Sequence, residues 1–421
     1  MTSLLPFVVV GVAAGAVYGL AGVGLVLTYR TSGVFNFAHG AVASAGAFLF
    51  YELYVRHGWP WPLAATICLV VLAPTLGILL ELVGRRLAEA SSWLQVVGTV
   101  GLLLALQGLL LVSYGSEPKN VPQFLPQSSF RLPGVNVSWD QVIVVVIGVG
   151  VTLLLSALLR RTPFGIAMRG AVDNPALLEL TGISAVLVRQ AAWILGAVVA
   201  VASGILLAPV LGVDPFLLTL LVVQAFGAAA IGRFRHLGWT MAGGLGLGVL
   251  AAIGQRYASD FPTLLGLPPS LPFFALFAIL IVSRTSATAS ESLRRTGGER
   301  FSPLPAPLRR GLAVVTAGVV AVIPFVVGPR LPVYISAAAF AIIFLSLGLL
   351  VNLSGQVSLC HAAFVAVGAA SFSHLRVDVG LPWPLAVLGA ALLAVPVGAL
   401  VAIPAIRLSG IYLGLATFGF G

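Results

Sequence analysis

The sequence predicts an all-α polytopic membrane protein, with about 13 transmembrane helices plus an incomplete terminal one in two parallel-related modules. Three observations predict this class. Of the 421 residues, 59% are hydrophobic and only 8% are charged. Apolar runs recur at the length needed to cross a bilayer. A motif near the N-terminus is repeated near the C-terminus, as expected for a duplicated membrane module.

The repeat has a constant offset of 322 residues. Residues 32–41 read SGVFNFAHGA, and residues 354–363 read SGQVSLCHAA. Without a gap, the same offset places the GWPWPLA sequence that begins at Gly58 on the GLPWPLA sequence that begins at Gly380. Duplicated membrane modules are typical of transporters, which build a pathway at the interface between the repeats.

The apolar runs are assigned as spans in chain order. They lie near residues 4–28, 33–54, 62–83, 93–113, 142–159, 190–211, 216–232, 238–255, 264–283, 311–328, 333–351, 354–375 and 384–406. The first run has no basic stretch before it, which favours a retained helix over a cleaved signal peptide. A last apolar run begins near residue 410 and covers about half a bilayer.

The charge distribution predicts topology and domain boundaries. The net charge of +10 comes almost entirely from Arg at the ends of apolar runs, which is typical of cytoplasmic loops and not of nucleic-acid binding. Alternating spans then give an N-out first module, with residues 114–141 as an extracytoplasmic loop. We predict a first module over 1–285, a cytoplasmic Arg/Pro-rich linker over 286–310, and the N-terminal part of a truncated second module over 311–421.

Several kinds of chemistry are disfavoured. A phosphate-binding loop needs a Lys followed by Ser or Thr, but the single lysine, Lys119, precedes Asn120. The Gly-rich run 243–248 lies within a predicted span and is interpreted as a helix-packing element. Cys68 and Cys360 have no spacing that suggests a disulfide or a metal site. We therefore predict no cofactor and no enzymatic activity in this chain.

A charged loop between two spans is the candidate contact with a partner protein. In residues 160–183, either Asp173 or Asn174 is placed to cap a short helix that begins at Pro175, and Gly182 is placed to end it. Leucines in that helix lie beside Arg169, Asp173 and Glu179, a composition that suits insertion into a groove of a partner. The alternative is an amphipathic helix that lies on the lipid surface.

Two histidines occupy equivalent positions in the repeat. His39 and His361 are predicted within spans, where ionisable residues are costly and often functional. Asn36 and Ser358 precede them by one helical turn on the same face. Helix packing, lining of a transport pathway and, least favoured, metal ligation remain open for this set. Ser32 and Ser354, each followed by Gly, are predicted to cap the start of the helix.

These motifs resemble inner-membrane permeases of branched-chain amino-acid ABC importers, the Liv type. The resemblance rests on residues 29–40, on the loop 162–183, on Arg284-Thr285, and in the second module on residues 353–364 and 408–413. It implies a complete first permease subunit fused to the N-terminal part of the second, in the inner or cytoplasmic membrane. The implied partners are ABC ATPase subunits at the cytoplasmic face and an extracytoplasmic solute-binding protein that delivers a hydrophobic amino acid.

The residues singled out above form two candidate sets. The ATPase-coupling set is Arg169, Asp173, Asn174, Glu179 and Gly182, and the substrate-pathway candidates are Asn36, His39, Ser358 and His361.

Other transport functions remain as alternatives. A permease of the same architecture for urea, short amides or another small solute would share these scaffold motifs. A passive channel or an ion-coupled carrier would also be duplicated and helical, but coupling to an ion requires buried Asp or Glu. Apart from Glu52 and Glu81, which lie near predicted span ends, the acids are in predicted loops. This absence of acids within the spans disfavours coupling to a gradient.

Overall fold

A computed structural model describes residues 4–88, 92–260, 267–282, 305–354, 358–405, 413–414 and 417. The chain divides into two compact units, residues 1–283 and residues 284–421. Each unit is described by itself below.

The described part of the first unit is mainly helical and contains a small hairpin. Its helices are α1 (Leu5–Ser32), α2 (His39–Tyr51), α3 (Trp61–Ile67), α4 (Ala73–Ala88), α5 (Ser92–Tyr114), α6 (Trp139–Arg161), α7 (Pro163–Asp173), α8 (Pro175–Leu180), α9 (Ala185–Leu211), α10 (Leu221–Ile231), α11 (Leu237–Ala258) and α12 (Leu267–Val282). A π-helical turn, Glu52–Arg56, extends α2, and another, Cys68–Leu72, joins α3 to α4.

Helix α1 is the centre of the first unit, because α9, α10 and α11 pack around it. A Cβ atom added at Gly15 would lie 2.6 Å from the carbonyl oxygen of Gly244, and one at Gly11 would lie 2.7 Å from that of Gly248. Glycines on both helices therefore allow the two backbones to touch, as small residues do between membrane helices. The predicted packing role of the Gly-rich run is confirmed for Gly244 and Gly248, whereas a Cβ at Gly246 would contact nothing within 4 Å.

The second span begins later than predicted, and Ser32 does not cap it. Helix α1 continues to Ser32, where Gly33 takes a left-handed conformation (φ +70°) and donates its N–H to the carbonyl of Tyr29. The Ser32 hydroxyl donates to the carbonyl of Thr28 at 2.8 Å. Residues 34–38 are not helical, and α2 begins at His39. Glycine lacks a Cβ, so Gly33 reaches the conformation that ends a helix without steric cost.

The predicted extracytoplasmic loop contains a small hairpin. Strands β1 (Ser129–Leu132) and β2 (Val135–Ser138) pair in antiparallel register, with Ser129 opposite Ser138. The turn between them uses Gly134 at φ +90°. Before the hairpin, Lys119 forms a two-way backbone bridge with Val213. This bridge ties the loop to the segment that follows α9.

The second unit repeats one local feature of the first. Its helices are α13 (Ala306–Val326), α14 (Leu331–Ser354), α15 (His361–Ser373) and α16 (Trp383–Ala405). Helix α15 begins at His361 and is extended by a π-helical turn, His374–Asp378. These positions lie 322 residues after the start of α2 and its π-helical turn, so the sequence repeat is also a repeat of local structure.

Two predicted boundaries in this unit need correction. Residues 306–310 were expected to be linker but form the start of α13, because Pro305 precedes the helix and Pro307 occupies its first turn, where a missing N–H costs nothing. The rest of the predicted linker, residues 286–304, lies outside the described residues. Ser354 ends α14 and does not begin the next helix.

Fewer long spans are described than the sequence predicted. In the described ranges, eight helices are long and apolar enough to cross a membrane: Leu5–Ser32, Trp61–Leu87, Leu94–Tyr114, Trp139–Arg161, Ala185–Leu211, Leu237–Ala258, Gly328–Val351 and Trp383–Ile403. Three shorter apolar helices are Leu221–Ile231, Ser270–Ile279 and Val314–Val326. Turns at Gly33 and before α10 shorten runs that hydropathy alone reads as full spans, so the predicted count of about 13 is not confirmed.

Candidate functional site

His39 is enclosed at the beginning of α2. Its side chain is 1% exposed, and its ring hydrogen-bonds with the backbone of Ala21 in α1. The ring lies where Gly24 leaves room, since a Cβ at Gly24 would be 3.0 Å from His39 Cε1 and 3.0 Å from Val199 in α9. Its Nε2 has no hydrogen-bond partner within the described residues. His39 therefore fills a three-helix contact while keeping one unused polar atom.

Asn36 lies in the non-helical segment before α2, not on the helix. Its carbonyl accepts the N–H of His39 at 3.2 Å, so its backbone, and not a shared helix face, links the two residues. The side chain is 3% exposed, and its Oδ1 is unpartnered among the described residues. The predicted placement of Asn36 one helical turn before His39 is wrong, because Gly33 ends α1 and α2 starts only at His39.

The equivalent pair in the second unit is less enclosed. Ser358 precedes α15, and its Oγ lies 2.9 Å from the Cys360 Sγ. It also accepts the Cys360 N–H at 3.4 Å. His361 opens α15 and is half-buried, with Nδ1 unpartnered in the part of the chain that the structure describes. As with Asn36, Ser358 is in the connecting segment and not on the helix of its histidine.

Three polar residues of the first unit that have buried oxygen atoms were not among the site candidates from the sequence. Ser44 in α2 and Gln224 in α10 each have an oxygen without a partner in the described ranges, and so does Glu81 in α4. Glu81 is 1% exposed, and its nearest cation is Arg85, whose Nε lies 3.9 Å from its carboxylate. The sequence argument against ion coupling set Glu81 aside because it lies near a predicted span end, but the structure buries this carboxylate. A polar residue within an apolar run was the available signal for all three.

The segment that holds the candidate coupling residues folds as the short helices α7 and α8. Asn174 caps α8, because its Oδ1 accepts the N–H of Leu177 at 3.1 Å. Gly182 follows at φ +81°, where the chain turns toward α9. The predicted helix that begins at Pro175 is confirmed, and Asn174 is its cap. Asp173 is the last residue of α7, and its side chain lies outside the described part.

Helix α8 presents an apolar surface to its surroundings. Leu177 is 60% exposed and Leu180 is 83% exposed, with Glu179 exposed between them. Leu178 points the other way and packs on Gly170 of α7. Helix α7 in turn buries Ala167 and Met168, and it packs against α1 and α9. The exposed helix α8 thus packs on α7, which is itself packed against the rest of the first unit. Arg169 is exposed on α7.

The candidate residues therefore form separate groups. Asn36 and His39 lie in the interior of the first unit, Ser358 and His361 lie in the second unit, and the coupling set lies on α7, α8 and the turn after them. Within the described residues, no group of three His, Cys, Asp or Glu side chains could hold a metal ion.

Comparison with known proteins gives a consistent set of relatives. The family described as "Branched-chain amino acid transport system / permease component" matches residues 7–283. The permease protein BraD of Pseudomonas aeruginosa, from a high-affinity branched-chain amino acid transport system, is 28% identical over 263 residues, which cover 59% of this chain and 86% of that protein. A probable branched-chain amino acid transport permease, LivH of Methanocaldococcus jannaschii, is 29% identical over 256 residues, covering 58% of this chain and 79% of its own.

A different permease is similar to a shorter stretch. LivM of Escherichia coli, also from a high-affinity branched-chain amino acid transport system, is 36% identical over 138 residues, which cover 31% of this chain and 32% of that protein. No solved structure matches the chain.

Proposed function

The chain belongs to the family of permease components of branched-chain amino acid transport systems, and we propose that it forms the membrane pathway of an ABC importer for branched-chain or related hydrophobic amino acids. It is a multi-pass protein of the cell membrane. In the proposal, separate ATPase subunits power import, and an extracytoplasmic solute-binding protein delivers the amino acid. The similarity to both LivH and LivM permeases supports a fusion of two permease modules, over 1–285 and 311–421, joined by the linker 286–310.

The observation that carries the coupling role is the exposed apolar face of α8. Leu177 and Leu180 would each be costly to leave in water, and burial of such a side chain contributes about 1.5–3 kcal/mol. Helix α7 holds α8 against the body of the first unit through Leu178 and Gly170. Because α7 packs against α1 and α9, a movement of α8 would be transmitted through α7 to these two helices. In this proposal Arg169, Asp173, Asn174, Glu179 and Gly182 form the ATPase-coupling set.

The coupling role is tested by changing one exposed leucine. Leu180→Asp should lower the amount of ATPase that co-purifies in mild detergent about tenfold, because a charge would replace about 1.4 kcal/mol or more of apolar contact. Leu180→Met is the matched control, since it keeps the apolar area, and it should co-purify normally. If both variants retain the ATPase in full, α8 is not the docking helix.

The pathway proposal rests on buried polar atoms that lack partners. Asn36 Oδ1 and His39 Nε2 are unpartnered among the described residues, and so is His361 Nδ1 in the second copy. An unsatisfied buried polar group is costly, and such groups in native proteins often serve a function. We place Asn36, His39, Ser358 and His361 along the route of the amino acid, where a few hydrogen-bonding groups suit brief contact.

Glu81 keeps the ion-coupled carrier open as a second candidate. It is a buried acid in α4, which is the feature that a proton- or ion-coupled mechanism requires. Stimulation of ATP hydrolysis in the purified assembly by a branched-chain amino acid and its binding protein would support the importer. Uptake that follows a proton gradient and needs no ATP would support the carrier.

A further inference from the structure

A cavity of about 590 Å³ opens at one end of the first unit, between the last turns of α1 and α6, helix α7 and the turn before α11. Four arginines and one histidine line it: Arg30, Arg160, Arg169, Arg235 and His236. Arg30 belongs to the last turn of α1, and Arg160 to the last turn of α6. These ends of membrane spans lie at the depth where a bilayer exchanges its hydrocarbon core for headgroups.

The positive charge around this cavity is not neutralised by neighbouring acids in the described ranges. Arg30 Nη1 donates to the backbone carbonyl of Arg235 at 3.1 Å, which orients its guanidinium without compensating its charge. The ion pairs seen in the described part involve Glu52, Glu81, Asp260 and Asp378, and none of the four arginines. Asp173, four residues after Arg169, has its side chain outside that part. Four like charges around one cavity attract an anion.

Apolar side chains also line the cavity, and one side is a helix with exposed apolar residues. Leu27, Leu159 and Met168 line it beside the arginines. Helix α6 forms one side, and its side chains Val146, Leu153 and Leu154 are exposed and available to acyl chains. Trp239, two residues after the lining Leu237, is 66% exposed, and Trp is enriched at the membrane interface.

We propose that this cavity binds the phosphate headgroup of an anionic phospholipid, whose acyl chains run along α6. Arginine forks bind phosphate oxygens in pairs, and basic pockets between membrane helices are typical sites for such headgroups. Because α7 forms one wall of the cavity and leads into α8, the bound lipid stabilises the position of α7, on which α8 packs. This site depends on the membrane location of the chain and not on the proposed docking of an ATPase.

The test measures lipid retained by the full chain, purified in phosphatidylcholine-containing detergent micelles and supplied with phosphatidylglycerol or cardiolipin. Native mass spectrometry counts the bound lipids. Arg160→Gln and Arg235→Gln should each weaken retention of the anionic lipid about fivefold, the effect of removing about 1 kcal/mol of attraction. Arg161→Gln is the matched control, because it removes the same charge from the neighbouring position, which does not line the cavity. It should retain lipid like the unmodified chain.

Competition distinguishes the sources of the phosphate. Inorganic phosphate at millimolar concentration should not displace the lipid, since it lacks acyl chains to contact α6. If inorganic phosphate displaces the lipid, the cavity binds a soluble anion and the lipid assignment is overturned. If the purified ATPase subunit releases the lipid, the cavity is instead a protein-docking surface. Equal lipid retention by Arg160→Gln, Arg235→Gln and Arg161→Gln would show that the cavity binds no headgroup. Thermal unfolding of each variant in phosphatidylcholine alone should match the unmodified chain, because Arg160 and Arg235 are exposed.

Discussion

Helix α1 and the corresponding span of the second copy differ in burial although they occupy equivalent places in the repeat. Of the residues in the most apolar stretch of α1, 61% are buried, whereas none of those in the most apolar stretch of Gly328–Val351 are buried. The helices that follow them begin at equivalent positions, because α2 and α15 start 322 residues apart and both continue into a π-helical turn. The residue at the next bend is a left-handed glycine in both copies, Gly58 at φ +67° and Gly380 at φ +78°.

The difference in burial depends on which helices pack against each span. In the first unit α9, α10 and α11 surround α1, and glycines along α1 let them approach. The ridge Gly11, Gly15 and Gly19 corresponds in the repeat to the larger residues Val333, Ala337 and Ala341. A short repeated motif thus specifies the local turn, while the residues outside the motif decide what packs on the helix.

The largest expected difference between the copies concerns the helix surface. Gly15→Leu should destabilise the first unit by about 3 kcal/mol, because its side chain would overlap the backbone at Gly244 and Leu245. Ala337→Leu, the matched change on the exposed helix of the second copy, should have little effect on stability. Thermal unfolding in detergent and the yield of monodisperse protein measure both. Equal losses would mean that the two spans are packed alike in the assembled protein.

The two histidines of the candidate pathway, His39 and His361, should also differ in their effect on uptake. In the assembled transporter, His39→Ala should lower uptake per intact complex about tenfold, which is about 1.4 kcal/mol, because it removes Nε2, the unpartnered ring atom that we propose contacts the amino acid. His361→Ala should have a smaller effect, since His361 is only half-buried. Uptake is measured against the amount of intact complex. A loss of uptake proportional to a loss of complex would assign His39 to helix packing.

The bend glycines should respond alike, in contrast to the helices. Gly58→Ala and Gly380→Ala each place a Cβ in a left-handed conformation, which costs about 1–2 kcal/mol, and neither Cβ would contact another atom within 4 Å. Equal decreases in thermal stability would confirm that the two copies share this turn. A cost at one bend only would show that the repeat has diverged there.

The smallest effect is expected at Glu81, which has no acidic counterpart in the repeat because the equivalent residue is Ile403. If import is powered by ATP, Glu81→Gln should keep uptake within about twofold, and stability should be unchanged or raised, since a buried carboxylate with poor partners is costly. Uptake is followed at several external pH values. A large loss of uptake together with a loss of pH dependence would instead favour ion coupling.

Part of the site was predictable because its signals are local. The capped helix at Pro175 follows from Asn174, Pro175 and Gly182, which act on neighbouring backbone groups whatever the surroundings. The repeat at His39 and His361 was visible for the same reason. The start of α2 was misplaced because hydropathy does not distinguish an apolar connecting segment, residues 34–38, from an apolar helix.

The amino-acid sequence by itself determined the membrane class, the family, the repeat and the short helix that begins at Pro175, since composition, motif spacing and capping residues are properties of the chain alone. Only the tertiary structure decided that Glu81 is buried, that His39 sits in the space left by Gly24, and that Arg30, Arg160 and Arg235 meet at one cavity. These residues are far apart in sequence. Helix packing brings them together, and packing depends on the shapes of whole helix surfaces that no short motif encodes.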